Sequence, residues 1–353
     1  YCPSIEDKIV KFPAAARHQV FLEPEGLDTT EMYVNGLSTS LPPAVQLRFL
    51  QTIPGLAGVR MTRPGYAIEY DYFPPTQLAP TLEVREVPGL FLAGQVNGTT
   101  GYEEAAGQGV VAGINAAARA LGSSEIVLGR DVAFIGVMVD DLVSRGVDEP
   151  YRLFTSRSEY RLLLRQDNAL RRLLPLAERL GVLTDGERRA AERMLRDEEE
   201  ILDAAAERVI SPDQAAPILA AARSTGVTES VRIADLARRP GVPVAELLVA
   251  AGLPVSHETC RWADIELKYE GYLARERSAA NRLAQMDGFE LPDHLDYRSL
   301  QTLSFEAREK LQAIRPRSLG QAGRVPGISP SDLHCLVIEV LKRRTSVEPA
   351  CFT

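Results

Sequence analysis

The stretch "LFLAGQVNGTTGYEEAAGQGVVAGINAA" (Leu90 to Ala117) constrains this chain more than any other. An apolar run hands over to a glycine turn, and the turn to a segment made largely of alanine and glycine. "GLFLAG" is expected as a buried strand ending at Gly94. Thr100 followed by Glu103 has capping-box spacing, which starts a helix near Gly101. Along that helix Ala105, Ala106, Gly109, Ala112, Gly113 and Ala116 recur at three- and four-residue steps. Such a stripe lets another backbone or a planar ring approach closely. The amides at the helix start carry partial positive charge and suit the carbonyl-rich edge of a reduced, anionic flavin. Close helix–sheet packing without a ligand accounts for the stripe equally well.

The 353 residues are enough for two or three domains with ordinary cores. With 45% hydrophobic and 25% charged residues the composition is that of a globular protein, and the net charge of −8 argues against a uniformly basic nucleic-acid binder. A local basic face is compatible with that total. No apolar run approaches the ~18 residues of a membrane span, and the first residues do not read as a signal peptide. Cys2, Cys260, Cys335 and Cys351 are scattered without metal-ligand spacing, so no metal site is expected, and free thiols fit a reducing cytoplasm. Residue 1 is Tyr, and no G-x-G-x-x-G occurs; "GQGVVAG" has one residue too many between its last two glycines. The expectation is a C-terminal piece of a longer protein, with the pyrophosphate-gripping half upstream.

Residues 1–88 alternate short apolar runs with Pro and Gly breakers ("HQVFLEPEG", "MYVNGLSTSLPP", "RPGYAIEYDYFPP"), a pattern of short strands with one helix near Pro43–Thr52. After Asp131 the texture becomes helical, with "GV", "PG" and "SP" stops. "ERRAAERMLRDEEEILDAAAERV" reads as a solvated amphipathic helix. A further helical unit runs from about Cys260 to Arg344, broken at Pro292–Tyr297, and the tail "TSVEPACFT" lacks periodicity.

Three other segments carry chemistry. In "YCPSIEDK" Ser4 is a helix cap with Glu6 and Asp7 in the first turn, which places Cys2 just ahead of a helix N-terminus where a thiolate is favoured. Inert packing is the plainer alternative for a lone cysteine. "PYRLFTSRSEYRLLLRQDNALRR" (Pro150 to Arg172) holds six arginines against two acids in an acidic chain. Arg157, Arg161 and Arg165 are spaced to share one helix face, and planar guanidiniums in a row suit phosphates, with Tyr151, Phe154 and Tyr160 able to stack. A salt-bridged face is the alternative; the local charge excess favours RNA. "RPRSLGQAGRVPGISPSDLHCLVIEVLKRR" (Arg315 to Arg344) is helix, turn, helix, with Ser329 capping ahead of Asp332. Its second helix is apolar at Leu333, Leu336, Val337, Val340 and Leu341, which suits a protein partner or the core better than a DNA groove. Arg324, Lys342, Arg343 and Arg344 are its candidate nucleic-acid contacts.

Taken together, "YCPSIEDKI", "FLEPEGLDTTEMYVNGLSTSLP", "RPGYAIEYDYF", "LFLAGQVNGTTGYEEAAGQG", "PYRLFTSRSEYRLLLRQDNA", "KYEGYLARE" and "RPRSLGQAGRVPGISP" resemble, in order, the tRNA uridine 5-carboxymethylaminomethyl modification enzyme family, MnmG/GidA. The resemblance implies an α/β plus all-α fold: a truncated FAD/NAD(P)-binding Rossmann-like core followed by a C-terminal helical domain. Residues 1–88 would be the remnant of an NADH-binding or insertion region, and 89–130 the last strand–loop–helix of the FAD-binding domain. Residues 131–259 would form a helical domain, 260–344 a partner-docking helical subdomain, and 345–353 a tail. The implied activity is addition of a carboxymethylaminomethyl or aminomethyl group to C5 of the tRNA wobble uridine. It would use FAD, NADH and methylenetetrahydrofolate as one-carbon donor, in a cytoplasmic homodimer that assembles with the GTPase MnmE into a heterotetramer, away from any membrane. Carried over by residue, the catalytic thiol is Cys2, and the NADH segment includes Tyr1, Cys2, Pro3, Ser4, Ile5, Glu6, Asp7 and Lys8. FAD falls to Gly94, Gln95, Asn97, Gly98, Thr99, Thr100 and Gly101, and tRNA to Arg152, Arg157, Arg161 and Arg165. After Ala169 the sequence "LRRLLPLAERLG" departs from the family's usual run. The alternatives are a folate- and FAD-dependent tRNA methyltransferase, which lacks the long helical C-terminus, and a non-catalytic module that binds the GTPase or tRNA.

Overall fold

The computed structural model describes residues 4–66, 70–292 and 294–346, with side chains to 343 in the last helix. It divides into two compact units, Tyr1–Phe73 and Pro74–Thr353.

In the first unit, helix α1 (Ile5–Lys11) opens at Ser4, whose hydroxyl accepts from the Asp7 amide while the Asp7 carboxylate reaches back to the Ser4 amide. The expected cap is thus present as a full capping box. Strands β1 (Phe21–Pro24) and β2 (Met32–Asn35) pair antiparallel, with Phe21 opposite Asn35 and Pro24 opposite Met32. Helix α2 (Pro43–Gln51) begins on Pro43, as expected. Of the third expected strand, residues 67–69 lie outside the described set, and Tyr70 to Phe73 are irregular. Leu50 is the buried apolar side chain among the described residues here, whereas Ile9, Phe12, Phe21, Leu27, Tyr33 and Tyr66 are exposed. Polar ties carry the unit instead. The Gln46 amide donates to the carbonyls of Leu41 (2.6 Å) and Gly65 (2.9 Å) and accepts from the Gly65 amide (2.7 Å).

The second unit has three hydrophobic cores. The first gathers Leu78, Leu82 and Val84 under helices α3 (Tyr102–Leu121) and α4 (Phe134–Arg145). Gly136 is required there, because a Cβ would strike the backbone carbonyls of Leu128 and Gly129. "GLFLAG" does not become a strand. Phe91 makes a single bridge to Glu83, and the Val84 amide donates to the Leu90 carbonyl. A strand needs a neighbour for every other amide, and the described residues offer it only this short turn-back.

Helix α5 (Ala169–Leu180) leads to α6 (Asp185–Glu207), capped by Thr184 with Glu187. The two-residue strands β3 (Val209–Ile210) and β4 (Val231–Arg232) flank α7 (Pro212–Ala221), and α8 (Ile233–Ala237) and α9 (Val244–Ala250) follow. Ile201, Ile210, Leu219, Leu236, Leu247 and Leu248 bury together as the second core. The 31-residue helix α10 (His257–Asp287) crosses the expected 259/260 boundary. Its first turns place Cys260, Trp262 and Leu267 in the second core. Burial pushes the Cys260 thiol up, with Asp264 adding to the shift, so it is an inert packing residue.

Beyond the break after Asp287, α11 (Phe305–Ile314), α12 (Leu319–Arg324) and α13 (Pro330–Ser346) form the third core around Tyr297, Leu311 and Leu336. Ser329 caps α13 against Asp332 as expected. The apolar face of α13 mostly feeds this core: Leu336 and Val340 are fully buried, while Leu341 is exposed. The expected tail begins inside α13, and residues 347–353 lie outside the described set. Among the described residues, no helix is long and apolar enough to cross a membrane.

Candidate functional site

The glycine turn is a closed hydrogen-bonded unit. Gly94 sits at φ +87° and ψ −142°, a 3-10 turn spans Gln95–Asn97, and Gly98 is left-handed at φ +79°. A side chain at either glycine is strained, which is why the backbone is bare there. Gln108, one turn and a half into α3 and fully buried, organises the loop. Its carbonyl oxygen accepts from the Gly94 amide (3.1 Å) and Asn97 Nδ2 (2.8 Å), and its amide donates to Thr99 Oγ1 (2.9 Å). Gly94, Asn97 and Thr99 therefore face inward, whereas Gln95 is exposed and Gly98, Thr100 and Gly101 are half-buried. Asn97 Oδ1 is buried and accepts no hydrogen bond among the described residues.

The Thr100–Glu103 capping box does not form. Gly101 is the N-cap, without a side-chain cap. The Glu104 carboxylate folds over Gly101, where a Cβ would collide with it, and accepts from the Leu153 amide (2.9 Å). The small-residue stripe is divided. Ala112 packs inward, while Ala106, Gly109 and Gly113 are exposed, and the buried face is carried by Glu104, Gly107, Gln108, Val111, Ala112, Asn115 and Ala118.

The arginine segment is not one helix. Thr155–Arg157 is a 3-10 turn, and Arg161 follows in a separate turn. Tertiary partners capture the backbone that a helix would use: Glu276 of α10 accepts from the amides of Leu162 (3.1 Å) and Leu163 (3.2 Å), and Asn168 donates to the Leu163 carbonyl (2.9 Å). The arginines consequently separate by role. Arg165 is held by Asp167 (3.1 Å) and Glu266 (3.2 Å), and Arg171 by Glu198 (3.2 Å) and Glu199 (2.6 Å). Arg172 is half-buried, and burial with the nearby Arg165 charge pulls its pKa down. Arg152, Arg157 and Arg161 are exposed. The Arg157 guanidinium lies 4.2 Å over the Tyr151 ring, and its Nε donates to the Arg152 carbonyl (2.6 Å). Of the three aromatics expected to stack, Tyr151 and Tyr160 are buried and Phe154 is exposed.

Two contacts lock this loop to the glycine turn. The Tyr151 amide donates to the Gly98 carbonyl (2.8 Å), forming a parallel bridge beside Thr99, and Leu153 is held by Glu104. Beneath them Arg130, with a side chain 2% exposed, donates to Asp140 (3.1 Å), Asp141 (2.7 Å), Glu159 (2.9 Å) and the Arg157 carbonyl (3.2 Å). Burial alone would lower its pKa, but the Glu159 hydrogen bond and the Asp141 and Asp140 charges outweigh it and raise the value. The Tyr151 phenol donates to Asp141 (2.9 Å), and burial plus that carboxylate push its pKa far up, so it stays protonated. A cleft of about 390 Å³ opens beside it, lined by Asp141, Arg145, Asp148, Glu149, Tyr151 and Arg157.

Asp140 also binds Arg324 of α12 (2.6 Å), which reaches Asp287 (3.0 Å) as well. Arg324 is thus a buried strut rather than a free cation for nucleic acid. In the other unit Glu6 accepts from the Thr39 hydroxyl, Lys8 Nζ donates to the Gly36 carbonyl (2.8 Å) and the Ile5 amide to the Ser38 carbonyl (2.7 Å). Burial works against the Glu6 charge, but the hydrogen bonds from Thr39 and Ser4 prevail and its pKa falls. Tyr1, Cys2 and Pro3 lie outside the described residues. Gln108, Glu104 and Arg130 organise the turn and the loop and were missed by sequence reading. A glutamine one to two turns into a helix behind an Asn/Thr loop is the signal that points to the first.

Fold and site define a class, a largely helical protein in which a rigid glycine turn is joined to an exposed basic loop. The comparisons give the family. A model described as "Glucose inhibited division protein A" matches residues 1–124. Two models of the tRNA modifying enzyme MnmG/GidA, its C-terminal helical domain and its C-terminal helical bundle, match 185–277 and 279–350. The chain belongs to the MnmG/GidA family. It is 48% identical to the tRNA uridine 5-carboxymethylaminomethyl modification enzyme MnmG of Porphyromonas gingivalis, covering 96% of this chain and 56% of that protein. The MnmG of Bacillus cereus is 47% identical, with 96% and 54% covered. Among solved structures, Aquifex aeolicus GidA in its form II crystal is 48% identical with a TM-score of 0.81, over 96% of this chain and 55% of that one. The chain spans about half the length of these relatives. The matches to both C-terminal helical models disfavour the folate-dependent methyltransferase alternative.

Proposed function

We propose that this chain supplies the flavin-edge turn and the tRNA-gripping loop of an enzyme that modifies C5 of the wobble uridine. What supports the reading is the pair of contacts joining the two sites, Tyr151 to Gly98 and Leu153 to Glu104. An RNA held by the exposed arginines lies next to the glycine turn, as transfer to a base requires.

The residues fit FAD on three counts: positive-φ glycines at 94 and 98 that keep side chains away, an α3 N-terminus with no side-chain cap, and the unpartnered Asn97 Oδ1. Gln95, Gly98, Thr100 and Gly101 would face the flavin, with Gly94, Asn97 and Thr99 shaping the turn from within. They would complete a Rossmann-like FAD-binding core. FAD held there would supply redox chemistry, with NADH as reductant and methylenetetrahydrofolate as one-carbon donor. This chain's residues do the rest. Gln108 fixes the turn, Arg152, Arg157 and Arg161 hold phosphates, and the Cys2 thiolate adds to the pyrimidine ring or moves a proton beside it. Ser4 to Lys8 present the NADH-side helix. Arg165, tied to two carboxylates, holds the loop rather than RNA. The proposed setting is a cytoplasmic homodimer with the GTPase MnmE docked on the C-terminal helices.

In the intact protein, Cys2→Ser is expected to abolish wobble modification while tRNA binding persists. Arg157→Ala with Arg161→Ala is expected to weaken tRNA binding and reduce the slope of log K against log salt by about 1.5. Unchanged modification removes Cys2 from the mechanism, and an unchanged slope removes the arginines from the RNA site.

A further inference from the structure

We propose that the exposed face of α10 at Tyr269, Tyr272 and Arg275 is a stacking surface for one or two unpaired bases of the RNA whose phosphates lie on the arginine loop. This rests on the RNA reading of that loop and adds what the loop lacks, a place for a base. Tyr269 is 44% and Tyr272 58% exposed, although the same helix buries Leu267, Leu273 and Ala280. The two rings stand 6.3 Å apart at 60°, and the Arg275 guanidinium lies 4.7 Å over Tyr272. Both tyrosines leave ring surface open to solvent.

Their place on the helix ties them to the loop. Glu276, which takes the Leu162 and Leu163 amides, is one turn from Tyr272, so the backbone next to Arg161 is anchored to α10 one turn from that residue. Charge selects the occupant. Arg165, Arg171, Arg238 and Arg277 are all ion-paired with carboxylates, whereas Arg161 and Arg275 form no ion pair among the described residues. Two open cations flanking two open aromatic rings match the phosphate and the π-face of a single-stranded nucleotide. A protein-docking face would show contiguous aliphatic surface, but the helix neighbours of Tyr272 are Lys268, Tyr269, Arg275 and Glu276.

The test uses the intact protein and an anticodon stem-loop RNA carrying 2-aminopurine in the loop. Tyr272→Ala, or Tyr269→Ala, is expected to weaken binding about 5- to 20-fold without changing the salt slope, because stacking is lost and no phosphate contact is. Tyr272→Phe is expected to bind like the parent, and the 2-aminopurine quench seen on binding is expected to disappear only in the alanine variants. Parental affinity and quench in both alanine variants overturn the proposal, including the case where they instead lose a protein partner. If Arg157→Ala with Arg161→Ala leaves the salt slope intact while Tyr272→Ala loses the quench, the phosphate reading of the loop fails and the base surface stands.

Discussion

Arg324→Met tests whether one buried carboxylate joins the C-terminal bundle to the site. Arg324 is about nine-tenths buried and reaches Asp140 at 2.6 Å and Asp287 at 3.0 Å. Its raised pKa is the net of burial, which lowers it, and of the Asp140 and Asp287 contacts, which outweigh that. Methionine keeps most of the volume and deletes the charge. Breaking a buried pair by removing one partner costs about 3–5 kcal/mol, through the uncompensated charge left behind. Here Asp140 keeps Arg130 at 3.1 Å, and the Asp287 side chain is 32% exposed and rehydrates. The expected loss is therefore at the low end, about 3 kcal/mol. In urea, followed by far-UV circular dichroism, that is a midpoint shift of about 1 M at a slope near 3 kcal/mol per M. Amide exchange is expected to accelerate in α4 and α12 and not in α7 or α9. Adding Asp140→Leu removes the orphaned charge and is expected to restore about half the loss, since Arg130 retains Asp141 and Glu159. A single variant within about 0.5 kcal/mol of the parent refutes the strut.

Gln108→Leu strands the Gly94 amide and removes one of two partners from Asn97 Nδ2, which keeps the Leu92 carbonyl, and from Thr99 Oγ1, which keeps the Gly94 carbonyl; a loss of about 1–3 kcal/mol is expected; thermal melts check it, and flavin content of the intact protein should fall with it. Gly136→Ala drives a Cβ into two backbone carbonyls that have no flexible end to move, so a loss of about 2 kcal/mol or more is expected in the same melts. Asp332 lies below its ordinary 3.8: burial works upward, but hydrogen bonds from Ser329 and the Ser304 amide prevail. Its contribution is full above the unfolded value and is lost as pH falls through the lower folded one. Asp332→Asn is therefore expected to melt below the parent at pH 6, with the gap closing as pH falls below the ordinary carboxylate value of 3.8; a gap independent of pH refutes the assignment.

Local signals were legible where a few neighbouring residues settle the outcome. Ser4 with Asp7, Ser329 with Asp332, the start of α2 at Pro43 and the two strands of the first unit all follow from contacts within four residues or from one pairing. The strand at Phe91 and the helix through Arg157 and Arg165 did not follow. A strand depends on distant neighbours, and the loop's amides were claimed by Glu276, more than a hundred residues away. The Thr100 cap did not form either: Gly101 is the N-cap, and Glu104, three residues on, accepts from the distant Leu153 amide.

By itself the sequence determined the helical periodicity, the caps, the bare glycine turn and a local excess of arginine, because each is written in residue types at short spacing. Only the tertiary structure decided which arginines remain without an ion pair, Arg157 and Arg161, and which are held, Arg165, Arg171 and Arg324, with Arg152 between the two at 4.0 Å from Glu104. A guanidinium's availability depends on whether a carboxylate is brought within about 4 Å by packing, and no local pattern encodes that. The same packing set the glycine turn against the basic loop at Gly98 and Tyr151, a hydrogen bond between residues 53 positions apart.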